Sequence, residues 1–337
     1  MNLTQRKAAF AKLGARIAQL TDEDIELLTA QAGSRNNWFD FANVKSALTG
    51  IAHMLTEDAL SDWLSNYTPQ AAEPKKVGVV MAGNIPAVGF HDMLAVLIAG
   101  HTLVAKLSST DPYLINWLAT QLTEIEPEFT NRIKFVDKLK DIDAVIATGS
   151  DNTSRYFEYY FRNMPHIIRK NRNSVAVLTG FEKEEELVAL GEDIFRFYGL
   201  GCRNVSKLYV PEEYDFTTLF QAMQPWEKVL DHHKYRNNYD YNKSIYLVNR
   251  EPHLDNGFML IRESEQMVSP ISVVFYEHYT DFDSLRKTLA EQSEKTQCVV
   301  SAAGWLAGSE NLGAAQKPQV WQYADDIDTL EFLTVLE

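Results

Sequence analysis

The chain has 337 residues, 45% hydrophobic and 23% charged, enough to bury one large core or two of moderate size. Its formal net charge of −14 would repel a phosphate backbone, which argues against a nucleic-acid partner. Two cysteines, Cys202 and Cys298, supply neither a disulfide framework nor a zinc cluster. The adjacent His232–His233 makes a poor chelate, because neighbouring side chains on a helix point about 100° apart, and no metal is expected. The N-terminus lacks the continuous apolar core of a signal peptide, and no apolar run approaches the roughly 18–20 residues that span a bilayer. The expectation is a cytoplasmic protein with no membrane span.

Up to about residue 72 the chain reads as helical. AFAKLGARIAQL carries apolar residues at helical spacing, Thr21 with Asp24 caps the next helix, and DALSDWLSNY continues the pattern. TPQAAEPKK, with two prolines and no periodicity, marks a break. From Lys75 short β-rich runs alternate with amphipathic helices. KVGVVMAG is a buried strand, followed by a turn at Gly83–Pro86 and a helix over Gly89–Ile98. TLVAKL is a second strand, and Pro112, after Asp111, suits the first position of a helix. RIKFV, DAVIATG and SVAVLTG are three further strands, with a helix over Thr153–Phe161. Such alternation predicts an α/β fold with a parallel sheet and right-handed crossovers. After Gly180, the helix FEKEEELVALGEDIFRFYG leads to Gly201–Cys202 and a second α/β domain. Its strands are read as SKLYVP, SIYLVNR, GFMLIRES, PISVVFYEHY and TQCVVSAAG, and its helices as FTTLFQAM and FDSLRKTLAEQSEK. The tail, QVWQYADDIDTLEFL, has no pattern that assigns its packing. These readings divide the chain into a helical segment (1–72), a nucleotide-binding type of domain (73–180), a second domain (181–305) and a tail (306–337).

Neither G-x-G-x-x-G nor the P-loop G-x-x-x-x-G-K-[ST] occurs, so the first domain binds no nucleotide or binds one differently. The densest basic stretch, HIIRKNRN, is either a solvated turn or a site for phosphates. The segment GNIPAVGFHDMLAVLIAGHTLVAKLSSTDP, from Gly83 to Pro112, resembles the aldehyde-dehydrogenase stretch in which an Asn follows the first strand and a helix leads to a strand ending in Lys. ATGSDNTSRYF is similar to that family's second phosphate-side turn, and FYGLGCRNVSKLYVP to its nucleophile segment. With EQMVSPISVVFYEHY, LSSTDP and the terminal YADDIDTLEFL, the chain resembles the LuxC-like acyl-CoA reductase branch over roughly residues 75–335.

That resemblance implies two interlocked α/β domains of the aldehyde-dehydrogenase type, the first holding a nicotinamide cofactor and the second the nucleophile. It assigns Cys202 as nucleophile, Asn84 as oxyanion donor and Lys106 as the contact to the adenosine ribose. Gly149 and Ser150 fall at the pyrophosphate-side turn, and Gln266 in the nicotinamide-side loop where many relatives carry a glutamate. Each assignment has chemical sense. A cysteine thiolate attacks thioesters readily, a neutral amide can face a developing oxyanion, and ligands of open α/β sheets bind beyond the carboxyl ends of strands.

Two departures carry information. Hydrolytic relatives place a water-activating glutamate before the strand SVAVL; here that position falls near Arg169, with no acidic residue between His166 and Leu178. A thioacyl enzyme without that base should resist hydrolysis and be resolved by hydride. Ser108 and Ser109 follow Lys106 where NAD-preferring relatives carry a glutamate, which favours NADPH, with NADH as the alternative. The expected reaction is reduction of an acyl-CoA to an aldehyde through a thioacyl enzyme on Cys202, with His166 or His91 as proton donor. The alternatives are an acyl-phosphate reductase of the same fold, an acyltransferase through Cys202, and a non-catalytic binding relative. A homo-oligomer, dimer or higher, and an acyl-donating partner enzyme also follow from the resemblance.

Overall fold

A computed structural model describes residues 1–67, 73–302 and 305–336. The chain forms two compact units: Met1–Asn171 with Pro318–Glu337, and Arg172–Lys317. The expected boundary at 72 and the first part of the TPQAAEPKK break lie outside the described residues.

The first unit opens with four helices, α1 (Leu3–Ala18), α2 (Asp22–Gly33), α3 (Phe41–Met54) and α4 (Glu57–Leu64). Each starts where a side chain accepts a backbone N–H otherwise lacking a partner: Asn2, Thr21, Asp40 and Thr56 respectively. The Thr21–Asp24 pair read from the sequence is a reciprocal capping box. In α1, Ala9, Phe10, Leu13 and Ile17 form the buried stripe.

Alternating elements follow: β1 (Lys76–Val80), α5 (Phe90–Ala99), β2 (Thr102–Lys106), α6 (Tyr113–Ile125), β3 (Ile133–Phe135), β4 (Ala144–Thr148), α7 (Asp151–Phe161) and β5 (His166–Arg169). The strands form one parallel sheet in the order β3-β2-β1-β4-β5. Helix α5 is buried at every residue from Asp92 to Ala99, since α1 and the C-terminal helix Thr329–Thr334 both pack on it. The tail left unassigned by its pattern is therefore part of this unit. Pro112 precedes rather than opens α6, because the Asp111 carboxylate caps it by accepting Leu114 N–H.

One buried ion pair joins these layers. Arg169, at the end of β5, is 4% exposed, and its Nη1 donates to both oxygens of Asp92 on α5 at 2.7 and 2.9 Å. Its Nη2 donates to Thr329 Oγ1 at 2.7 Å, so one guanidinium holds a strand, the buried helix and the C-terminal helix. His101 makes a second link: its Nδ1 accepts Lys75 N–H, which assigns the proton to Nε2, and Nε2 donates to Leu333 O at 2.8 Å.

The second unit contains β6 (Asn173–Val177), α8 (Glu184–Phe195), β7 (Val205–Pro211), α9 (Phe216–Met223), α10 (His233–Asn249), β8 (Leu254–Asp255), β9 (Leu260–Glu263), β10 (Val273–Tyr279), α11 (Phe282–Glu291), β11 (Thr296–Ser301) and β12 (Glu310–Asn311). The sheet order is β12-β11-β6-β7-β10-β9-β8, parallel except for the β8–β9 pair. Two expectations are corrected. SVAVL, expected as the fifth strand of the first domain, is β6 of this sheet, where it pairs with β7 and β11. SIYLVNR, expected as a strand, is the end of α10. That helix buries Tyr235, Tyr239, Asn242 and Tyr246 along one face, and Leu247 and Val248, which suggested a buried strand, are 59% and 81% exposed. A short apolar run fits either element, and only the longer period decides.

Replacing Arg169 by Met should strand the Asp92 carboxylate in the core and lower stability by about 3–5 kcal/mol in urea unfolding, more than the double variant with Asp92→Leu. A pH dependence is also expected. Burial lowers the His101 pKa below its usual 6.5; the bond to Leu333 O opposes this, while Arg6, Arg132 and Lys75 add to it. The unfolded chain then binds the proton more readily, so this stabilisation is present above about pH 6.5 and lost as pH falls. In thermal melts, His101→Gln, which keeps one donor and one acceptor, should lose less than the wild type between pH 7.5 and 5.5.

Candidate active site

In the parallel sheet of the first unit, the chain leaves β1 for β2 and β3 on one side and returns for β4 and β5 on the other. The switch point lies between β1 and β4, the kind of position beyond the strand ends at which open α/β sheets bind ligands. Six of the expected residues collect at that carboxyl edge. Asn84 follows β1 and is exposed; Lys106 ends β2, also exposed, with Ser108 and Ser109 after it; Gly149 and Ser150 follow β4.

The turn carrying Asn84 is held from three sides. Gly83 O accepts from Asn36 Nδ2 at 3.1 Å and from Thr110 Oγ1 at 2.9 Å. Ala87, with φ +54°, donates its N–H to the buried Asp111 carboxylate at 2.7 Å. Burial raises the Asp111 pKa to about 6, opposed by the N–H donors of Ala87 and Leu114. A Cβ at Gly83 would stand 2.6 Å from both Ser108 Oγ and Thr110 Oγ1, so the turns after β1 and β2 interlock only around a glycine. Ser150 caps α7 by accepting Thr153 N–H. Of the expected proton donors, His166 is exposed with Nδ1 bonded to Met164 O, whereas His91 Nε2 donates to Val320 O at 2.7 Å.

In the second unit, Cys202 is half-buried in the turn that enters β7. Phe197, Tyr198 and Gly199 before it run at φ +55°, +57° and +76°. Two non-glycine residues in the left-handed region cost about 1–3 kcal/mol each and need a fixed surround. Asn204 provides it. Its Oδ1 accepts Gly201 N–H at 2.8 Å, and its Nδ2 donates to the carbonyls of Asp193 at 3.0 Å and Arg196 at 2.8 Å. The Cys202 carbonyl accepts from Ser174 Oγ at 3.1 Å, and Ser174 Oγ is also 3.0 Å from Cys298 Sγ. The Arg203 guanidinium pairs with Glu310 at 3.0 Å. Burial pushes the Cys298 thiol up to about 12, opposed by the Arg203 charge, as expected for a structural cysteine. Gln266 is exposed in the connection from β9 to β10.

Sequence reading missed Asn204, Ser174 and Asp111, whose hydrogen bonds hold the turns. Asp111, between the Lys106 strand and a helix, carried the one usable local signal. Asn204→Ala should lower stability by at least about 2 kcal/mol, since Gly201 N–H and several helix-end carbonyls lose their partner. Urea unfolding measures it, and Asn204→Asp, which accepts but cannot donate, should not restore it at neutral pH.

No helix among the described residues is long and apolar enough to cross a membrane. No curated protein matches the chain. Solved structures show its fold. Aldehyde dehydrogenase 21 from Physcomitrella patens, in complex with succinate, is 14% identical at a TM-score of 0.72, covering 99% of this chain and 84% of that one. The aldehyde dehydrogenase of Bacillus cereus in its NAD+ complex is 16% identical at a TM-score of 0.61, over 90% and 72% of the two chains. That of Mycobacterium tuberculosis, complexed with NAD+, is 15% identical at 0.63, over 90% and 74%. The fold is thus of the aldehyde-dehydrogenase type. The family model for acyl-CoA reductase (LuxC) matches residues 15–222, more than half of the sequence. This chain belongs to the LuxC acyl-CoA reductase family.

Proposed function

We propose that the protein reduces an acyl-CoA to an aldehyde with NADPH, through a thioacyl intermediate on Cys202. The observation that carries this reading is the Asn204-clamped turn that presents Cys202, half-buried, at the start of a central strand. Such a turn fixes the direction of a nucleophile before substrate arrives. The Cys202 sulfur attacks the thioester carbonyl carbon; a C–S bond forms, the bond to CoA breaks, and CoA leaves as its thiol. Asn84 and the Cys202 backbone N–H are the proposed donors to the oxyanion. Cys202 holds the acyl carbon until aldehyde departs, when its sulfur is the leaving group.

A nicotinamide cofactor fits the carboxyl edge of the first unit. The exposed Lys106 offers a cation, Ser108 and Ser109 offer hydroxyls, and none of the three adds a carboxylate to oppose a 2′-phosphate. Gly149 and Ser150 are proposed for the pyrophosphate side and Gln266 for the nicotinamide ribose. When bound, the cofactor supplies a hydride to the thioacyl carbon. Arg169 supports reduction over hydrolysis, because a buried, ion-paired guanidinium cannot accept a proton from water.

Intact-protein mass after incubation with acyl-CoAs of several chain lengths, without cofactor, tests the reading. The wild type should gain an acyl adduct that NADPH discharges as aldehyde; Cys202→Ala should gain none and lose at least about 10³-fold in turnover. An adduct untouched by NADPH would indicate transfer, and no adduct at any chain length would turn attention to acyl phosphates.

A further inference from the structure

Strand β7 carries an irregularity immediately after the Cys202 turn. Its partner β6 pairs Ser174 with Val205 but the next residue, Val175, with Lys207, so Ser206 is an extra residue. A bulge of this kind breaks the side-chain alternation of a strand and re-aims the residues around it. Here Ser206 and Lys207 both reach the connection between β9 and β10. Ser206 Oγ donates to Met267 O at 2.8 Å. Lys207 is 1% exposed, and its Nζ donates to Glu265 O at 3.1 Å and to Glu277 Oε2 at 2.5 Å. Two residues on, Tyr209 donates to Met267 Sδ at 3.7 Å. The carbonyls on either side of Gln266 are thus bound by the two residues of the bulge, while the Gln266 side chain stays exposed.

A lysine buried to this extent must be fully compensated, and a surface ion pair would cost far less. The cation is placed where it can bind a main-chain carbonyl of that connection and a carboxylate on β10 together. We propose that Lys207, with Ser206, is a positioning residue that fixes the Glu265–Met267 segment, and so Gln266, in register with the Cys202 turn. This inference rests on the reading of Gln266 as a cofactor contact. Lys207 touches neither substrate nor the reacting atoms in this scheme; it acts through the segment. The consequence is a division between half-reactions: acyl transfer to Cys202 does not need the segment, whereas cofactor binding and reduction do.

The test compares Lys207→Met, Lys207→Arg and Ser206→Ala with the wild type in three measurements. These are the rate of Cys202 acylation without cofactor, the NADPH Kd from fluorescence titration, and the single-turnover rate of reduction. Lys207→Met should acylate within about threefold of wild type, while its NADPH Kd rises about tenfold or more and reduction slows. Lys207→Arg should recover part of that loss, and adding Gln266→Ala to Lys207→Met should cost little beyond it. Acylation and cofactor binding falling in parallel, or neither changing in a folded variant, would overturn the proposal. Should Lys207→Met fail to fold, Ser206→Ala decides by the same split at smaller size. If the wild type itself forms no acyl adduct, the thioester reading fails, and the Kd comparison still decides the role of Lys207.

Discussion

A guanidinium withdrawn from water demands compensation in kind, and Arg169 finds it in two elements distant in sequence from its own strand. Asp92 supplies the countercharge from α5, Thr329 the neutral acceptor from the C-terminal helix, and β5 the backbone from which the side chain is sent inward. A pair like this contributes less net stability than an apolar substitute of the same volume, but removing one partner is costly. Its geometry therefore specifies a packing: α5 cannot shift along the sheet, nor the C-terminal helix leave it, without stranding a charge. The turn after β1 lies directly before α5, so the placement of Asn84 depends on the same lock.

The two units solve a common problem by different means. Both must hold a turn rigid at a sheet edge, where backbone groups have no ladder partner. In the first unit, side chains from neighbouring segments converge on Gly83 and Ala87, and the Asp111 carboxylate, its pKa raised by burial, accepts two backbone N–H groups. In the second, a single amide, Asn204, serves donors and acceptors at once and offsets the left-handed run before Cys202. Asp193 anchors the far side of that turn. Its carboxylate accepts Gly313 and Ala315 N–H, and burial raises its pKa to about 7.

At residue 169 stands a cation already committed to Asp92, and a guanidinium in such a pair has no lone pair with which to take a proton from water. Cys298, the second thiol and like Cys202 only partly exposed, lies beside Ser174, and burial raises its pKa.

Much of this was legible in the chain itself. Caps such as Thr21–Asp24, the strand–helix alternation from Lys76 to Arg169 and the glycine turn before Cys202 are local, because each depends on residues a few positions apart. What the tertiary structure alone decided are the choices made by distant partners. β6 joined the second sheet because hydrophobic strands of the same composition do not encode which neighbour they pair with. SIYLVNR became helix because the buried face of α10 begins upstream of it, at Tyr235. Arg169 reads as a surface cation until Asp92, 77 residues away, and Thr329, 160 residues away, are brought against it. Lys207 likewise looks like a strand-edge charge until the β9–β10 connection folds over it. Burial of a charge is settled by contacts that no short window of sequence contains.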